Sequence, residues 1–231
     1  QHTRGCYACP KNWNLPIGLA IISDVSLILI NRFSMLYDGE RSVSIYACIV
    51  YFMSNIPLIL EAVEDGSQPL ISRFYAERNF KKFKSIRRLA YVFSVVIAII
   101  GGGILYATKD TIGVLLGASY SVNSGISETL PILLLYLPFL AVTRITITSF
   151  YAVKKSVLSY VLVFTEPVLM LVLMLSLPVL FGGQCMVWWS VTVSRILIAA
   201  LAVALKQHVD RQERYCDAVT AEASMMQRNT A

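Results

Sequence analysis

The segment Val157–Phe181 reads VLSYVLVFTEPVLMLVLMLSLPVLF and holds a single charged residue, Glu166. At about 1.5 Å of rise per residue, a helix of this length exceeds the roughly 30 Å hydrocarbon core of a bilayer. Five further apolar runs accompany it: Leu15–Leu36, Val43–Val63, Leu89–Ala107, Leu130–Val153 and Cys185–Leu205. The second has no strong stop until the basic stretch that follows, so helix is expected past Gln68 toward Arg78, with Pro57 and Pro69 as its candidate kinks. Six spans of this kind predict an all-α integral membrane protein.

Composition agrees. Hydrophobic residues make up 56% of the 231 positions and charged residues 15%, with a mean hydropathy of +0.64, whereas soluble globular chains carry about a quarter charged residues. Five cysteines, an odd and sparse number partly inside apolar runs, do not form an extracellular disulfide scaffold. The net charge of +6 does not mark a nucleic-acid binder, because most basic residues sit in short segments between the apolar runs. The chain begins at Gln1 with neither an initiator methionine nor a signal-peptide pattern, which predicts a fragment or a processed chain.

Those basic residues set the orientation. The amino-terminal lead-in, the Arg73–Arg88 connection, Lys154-Lys155 and the segment after Leu205 together hold fifteen lysines and arginines, against Arg41 and Lys109 on the other side. By the positive-inside rule both termini are cytoplasmic. The expected organisation is a lead-in over residues 1–14, a six-helix transmembrane unit over 15–205, and a cytoplasmic tail over 206–231 whose polarity predicts a solvated or partly disordered segment. The outer connection Thr108–Thr129 reads as a loop with a short interfacial helix near Ile112–Leu116.

Polar groups inside the spans are the candidate functional residues, because a charge at mid-bilayer costs about 2.5–3.5 kcal/mol on insertion scales. Asp24 and Asn31 are seven residues apart and share one face of the first helix, where they would hold a cation; the alternative is a carboxylate paired for packing alone. Glu61, Glu64 and Asp65, followed by Gly66-Ser67-Gln68-Pro69, mark either the water boundary or a kinked, cavity-lining segment. Glu166 would pair with Arg144 or Arg195, as a structural ion pair or on a transport pathway. The only histidines, His2 and His208, lie outside the spans, so an intramembrane Ser-His dyad or HExxH metal site is not assembled and no enzyme activity is expected. Cys6-Tyr7-Ala8-Cys9 is a lone CxxC, too little for a zinc site. The basic stretch with Phe74, Phe80 and Phe83 would meet anionic headgroups or simply fix topology.

Several of these residues fall in an order that resembles a known family. Pro16 followed eight residues later by Asp24, and then Asn31, is similar to the seventh helix of multidrug and toxic compound extrusion transporters. Gly66-Ser67-Gln68-Pro69 with Phe74-Tyr75 resembles the family's G-x-Q-P segment at the end of its eighth helix. Ser149-Phe150-Tyr151-Ala152 with Lys154-Lys155-Ser156 resembles its F-x-A-x-G-K pattern, and Leu177-Pro178 to Gly183, before Val187-Trp188, its L-P-x-x-x-G-x-x-G-V-W. The chain departs from the pattern in Leu137–Ser149, where some members carry an aspartate in the tenth helix and this sequence has Thr143 and Arg144, and in Val153, which stands in place of a glycine.

The resemblance implies the second six-helix lobe of a twelve-helix, two-lobed transporter, multi-pass in the plasma membrane. It implies export of small cationic or amphipathic organic compounds in exchange for protons or sodium, with the first lobe of the same transporter and the lipid bilayer as partners and no cofactor beyond the coupling ion. Asp24 would bind the ion or a cationic substrate, Asn31 would assist as a neutral ligand, and Gln68 with Pro69 would shape the helix that repacks. Glu64, Asp65, Arg144 and Glu166 complete the candidate cavity residues. A flippase for lipid-linked saccharides, favoured by Arg32, Arg144 and Arg195, and a non-transporting membrane anchor or subunit are the alternatives. The basic asymmetry makes one immediate prediction: in intact cells, Ser85→Cys and Gln207→Cys are labelled only after the inner face is exposed, and Ser121→Cys is labelled from outside.

Overall fold

The computed structural model describes the backbone of residues 14–229 and the side chains of residues 25–211. Eight helices follow one another: α1 (Asn14–Met53), α2 (Asn55–Ala76), α3 (Phe80–Ala107), α4 (Lys109–Leu115), α5 (Tyr120–Leu134), α6 (Leu137–Ala152), α7 (Ser156–Phe181) and α8 (Cys185–Asn229). Among the described residues four stretches are long and apolar enough to cross a membrane, and five when the bent pair α5 and α6 is taken as one span.

The first of these, Val25–Ala76, is itself folded back. Gly39 has φ 65° and ψ −151°, which interrupts α1. Ser26, Leu27 and Ile30 border the same cavity as Val50, Met53 and Pro57. On one straight helix Ser26 and Pro57 would stand about 46 Å apart. The reversal therefore divides this stretch into two spans and brings the total to six, in the order the apolar runs predict. The second of the two is interrupted at Ser54, where Pro57 cannot donate to the carbonyl of Met53. It then runs as helix through Pro69 to Ala76, and the Ser54 hydroxyl donates to the Val50 carbonyl.

What faces outward on α3 and α7 is apolar. On α7, Val157, Val161, Phe164, Val168, Val172, Leu175 and Val179 recur at helical spacing along one exposed stripe, and Leu89, Val92, Phe93, Val96, Ile99 and Ile100 do so on α3. In water such stripes would drive association; against lipid tails they are the natural surface. The inner face of α3 is smaller and more polar, with Ala90, Ser94 and Ala98 buried. Gly101 continues that face so closely against α2 that a Cβ there would stand 3.0 Å from Ile56 Cδ1.

Helix α6 sits centrally, in contact with α2, α3, α7 and α8. Hydroxyls join the helices where lipid supplies no partner: Ser159 donates to the Ile147 carbonyl at 2.9 Å and Thr192 to the Ile132 carbonyl at 2.9 Å. The bend of 42° between α5 and α6 falls at the Leu135-Tyr136 junction, just before Pro138.

Two sequence expectations need correction. The outer connection holds the expected short helix, α4 at Lys109–Leu115, but is less of a loop than expected because α5 already begins at Tyr120. The Asn123 amide donates to the Asp110 carbonyl at 3.2 Å and ties the two helices together. The polar segment after Leu205 does not start as a disordered tail: α8 continues unbroken to Asn229. No glycine or proline stops it, and Arg87 on α3 anchors its next turns through a 2.6 Å ion pair with Asp210. Lys206 also places its ammonium 4.0 Å above the Tyr91 ring.

The turn at Gly39 lies in a backbone region essentially restricted to glycine, so Gly39→Ala is expected to lower unfolding stability by about 1–3 kcal/mol. Gly66→Ala, at an ordinary helical position with open space around its Cα, should be neutral or raise stability by up to about 1 kcal/mol. Thermal unfolding in detergent followed by circular dichroism checks the pair.

Candidate functional site

Between α1, α2, α5, α6, α7 and α8 lies a cavity of about 240 Å³. Its walls are mostly apolar, from Leu27 and Ile30 on α1 to Leu140 and Ile147 on α6. The polar groups that reach it are Ser26, Tyr46, Ser54, Tyr136, Thr143, Arg144, Glu166 and Arg195. Most of them come from the middle of apolar helices, where polar side chains are costly unless they face one another or a cavity.

Glu166 and Arg195 form an ion pair across α7 and α8, with the guanidinium Nη1 on the carboxylate Oε1. Of the two arginines open to Glu166 from sequence, Arg195 is the one it meets. The guanidinium carbon also lies 5.7 Å from the centre of the Tyr136 ring, a cation–π arrangement. Its Nε is buried with no hydrogen-bond partner. Tyr46, also on the cavity wall, stacks on Trp188, with ring centres 5.7 Å apart.

Arg144 is balanced from behind the wall. Its Nε lies 4.0 Å from Glu64 Oε1, while the Thr148 hydroxyl donates to Glu64 Oε2 at 3.2 Å. Glu64 is 6% exposed and does not border the cavity, whereas Glu61 and Asp65 are exposed on the outer face of α2. The acidic triplet is thus split by the helical turn: only Glu64 points into the lobe. Ser67 packs beside it and donates to its carbonyl at 3.1 Å.

The other predicted residues occupy different ground. Asn31 is half-buried on α1 and does not border the cavity; Gln68 is half-buried and Pro69 exposed near the end of α2, also away from it. Asp24 belongs to α1, and its side chain lies outside the described residues, as does the Cys6–Cys9 pair. Tyr46 and Tyr136 were not singled out from sequence. Their signal was weak, since tyrosines in apolar runs commonly serve packing or the membrane interface.

A bundle of apolar helices around a charged internal cavity defines an integral membrane protein. The MatE family model matches residues 16–177, and the chain belongs to this family of membrane transporters, which are not enzymes. Solved structures agree in fold. An outward-facing multidrug resistance MATE family transporter of the MOP superfamily superposes with a TM-score of 0.77 at 13% identity, over 87% of this chain and 45% of that one. A MATE transporter in complex with MaL6 gives 0.75 at 12% identity, over 85% and 45%. A MOP superfamily transporter from Pyrococcus furiosus, described as having a binding pocket of reverse polarity that suggests a different function, gives 0.73 at 13%, over 84% and 43%. The chain spans less than half the length of these structures. No curated protein matches it in sequence.

The Glu166–Arg195 pair predicts a measurable asymmetry. Glu166→Gln leaves the arginine uncompensated in a largely apolar site and should destabilise the fold by about 3–5 kcal/mol, while Glu166→Gln with Arg195→Met should recover most of that loss. A double-mutant cycle on unfolding in detergent checks it; equal destabilisation in the double variant would contradict the pairing.

Proposed function

We propose that the chain forms part of a secondary active exporter in the plasma membrane, with both termini cytoplasmic, which moves small cationic or amphipathic organic compounds in exchange for protons or sodium. The observation that carries this reading is the cavity itself. Several helices converge on it with aromatic, hydroxyl and paired ionic groups, the make-up expected where a polar ligand crosses a hydrophobic medium.

Asp24 is the proposed coupling residue and Asn31 its neutral helper, with Gln68 and Pro69 shaping the helix that repacks between states. The first lobe of the same transporter is the proposed partner. Arg32, Glu61 and Asp65 are exposed on the surface of α1 and α2 within the apolar stretch Val25–Ala76. Against lipid they would be costly, and against another lobe they would border water. The flippase alternative draws on arginines free to meet a phosphate; Arg144 and Arg195 each have a carboxylate beside them, which favours the exporter.

The test is efflux of a fluorescent amphipathic amine from energised vesicles containing the full-length protein, under imposed proton or sodium gradients. Asp24→Asn is expected to insert normally and lose gradient-driven efflux, and Asn31→Ala to retain part of it, since water can replace a neutral ligand. Undiminished efflux in Asp24→Asn, at equal protein level, would remove Asp24 from the coupling step.

A further inference from the structure

We propose that the Glu166–Arg195 pair is the subsite for a zwitterion: the preferred ligand carries an anionic and a cationic group close together on an aromatic body. This rests on the reading of the cavity as the transport site, and names the class of compound it takes.

The class of ligand depends on which charges the cavity leaves open. Among the described lining residues there are three charged ones, Arg144, Glu166 and Arg195. Arg144 is balanced by Glu64, which lies behind the wall and is fixed by Thr148. The pair that faces the cavity with both its members is therefore Glu166 and Arg195.

A simple cation that took Glu166 would strip Arg195 of its partner inside an apolar wall. A simple anion on Arg195 would do the mirror harm to Glu166, and removing one partner of such a pair is strongly unfavourable. A zwitterion exchanges partners without this loss. Its anionic group meets Arg195, its ammonium meets Glu166, and the number of opposite charges in contact rises while the net charge of the site stays the same.

A further detail fits this exchange. Tyr136 beneath the guanidinium and Tyr46 stacked on Trp188 supply aromatic faces beside the charges.

Tryptophan, tryptamine and indole-3-propionate share an indole and differ in charge, which makes them a matched probe set at a pH of about 7. Binding is measured by equilibrium dialysis on the full-length protein in lipid nanodiscs, without any ion gradient. Tryptophan is expected to bind about tenfold or more tightly than either of the others, as one additional charge-assisted contact implies. Glu166→Gln should shift preference toward indole-3-propionate, and Arg195→Met toward tryptamine.

Tryptophan binding no tighter than tryptamine would mean a cation site, and no tighter than indole-3-propionate an anion site; either overturns the proposal, as does saturable binding of none of the three. If a single variant fails to fold, the ranking on the unaltered protein still decides. Because the assay uses no gradient, a lost ranking with intact efflux overturns the zwitterion site alone, and a retained ranking without efflux overturns the exporter reading alone.

Discussion

Inside a hydrocarbon layer a charge or a backbone amide has no solvent to return to, so each must be satisfied by the protein that brings it there. Much of this architecture follows from that condition. The carboxylate of Glu64 reaches Thr148 and Arg144 on α6, and Glu166 reaches Arg195 on α8. Each pair draws one helix against another, and small residues such as Ala90, Ala98 and Gly101 let α3 close in where no ion pair does. The apolar stripes of α3 and α7 are the complement of the same rule, since they are the faces on which nothing needs a partner.

The cavity exists because the helices that supply these groups do not pack as straight rods. The reversal at Gly39 brings the two halves of α1 side by side, so Ile30 and Ile49 belong to one core. The bend between α5 and α6 presents Tyr136 at the junction and Thr143 and Arg144 two turns later. The break between α5 and α6 is tolerated because Tyr136, at the junction, borders the cavity rather than lipid. The bend between α5 and α6 and the polar side chains of the cavity thus occupy the same region.

The fold class and the six apolar spans were legible because span length and the scarcity of charge are properties of single segments. The family resemblance was legible for a related reason: two of its short motifs, Ser149–Ser156 and Leu177–Gly183, span the ends of α6 and α7, where the chain is constrained locally. Less could be read of the cavity. The triplet Glu61, Glu64 and Asp65 looks uniform in sequence, and the direction of each residue depends on where α6 lies beside α2. The choice of Arg195 over Arg144 for Glu166 depends on which helices are neighbours. The role of Tyr46 depends on a stacking partner, Trp188, far away in the chain. The helical continuation of α8 was missed because polar composition signals solvent exposure, and exposure does not prevent a helix anchored through Asp210.

The two intramembrane ion pairs differ in how far apart their members are made. Glu166 and Arg195 stand on consecutive helices joined by Gly182, Gly183 and Gln184, so this hairpin can leave the translocation channel during synthesis with its charges already neutralised. Glu64 and Arg144 are separated by the whole of α3, α4 and α5. The carboxylate of Glu64 therefore gains its partner only once α6 has been synthesised. The order of translation thus makes one pair self-sufficient at birth and leaves the other as a late closure of the lobe.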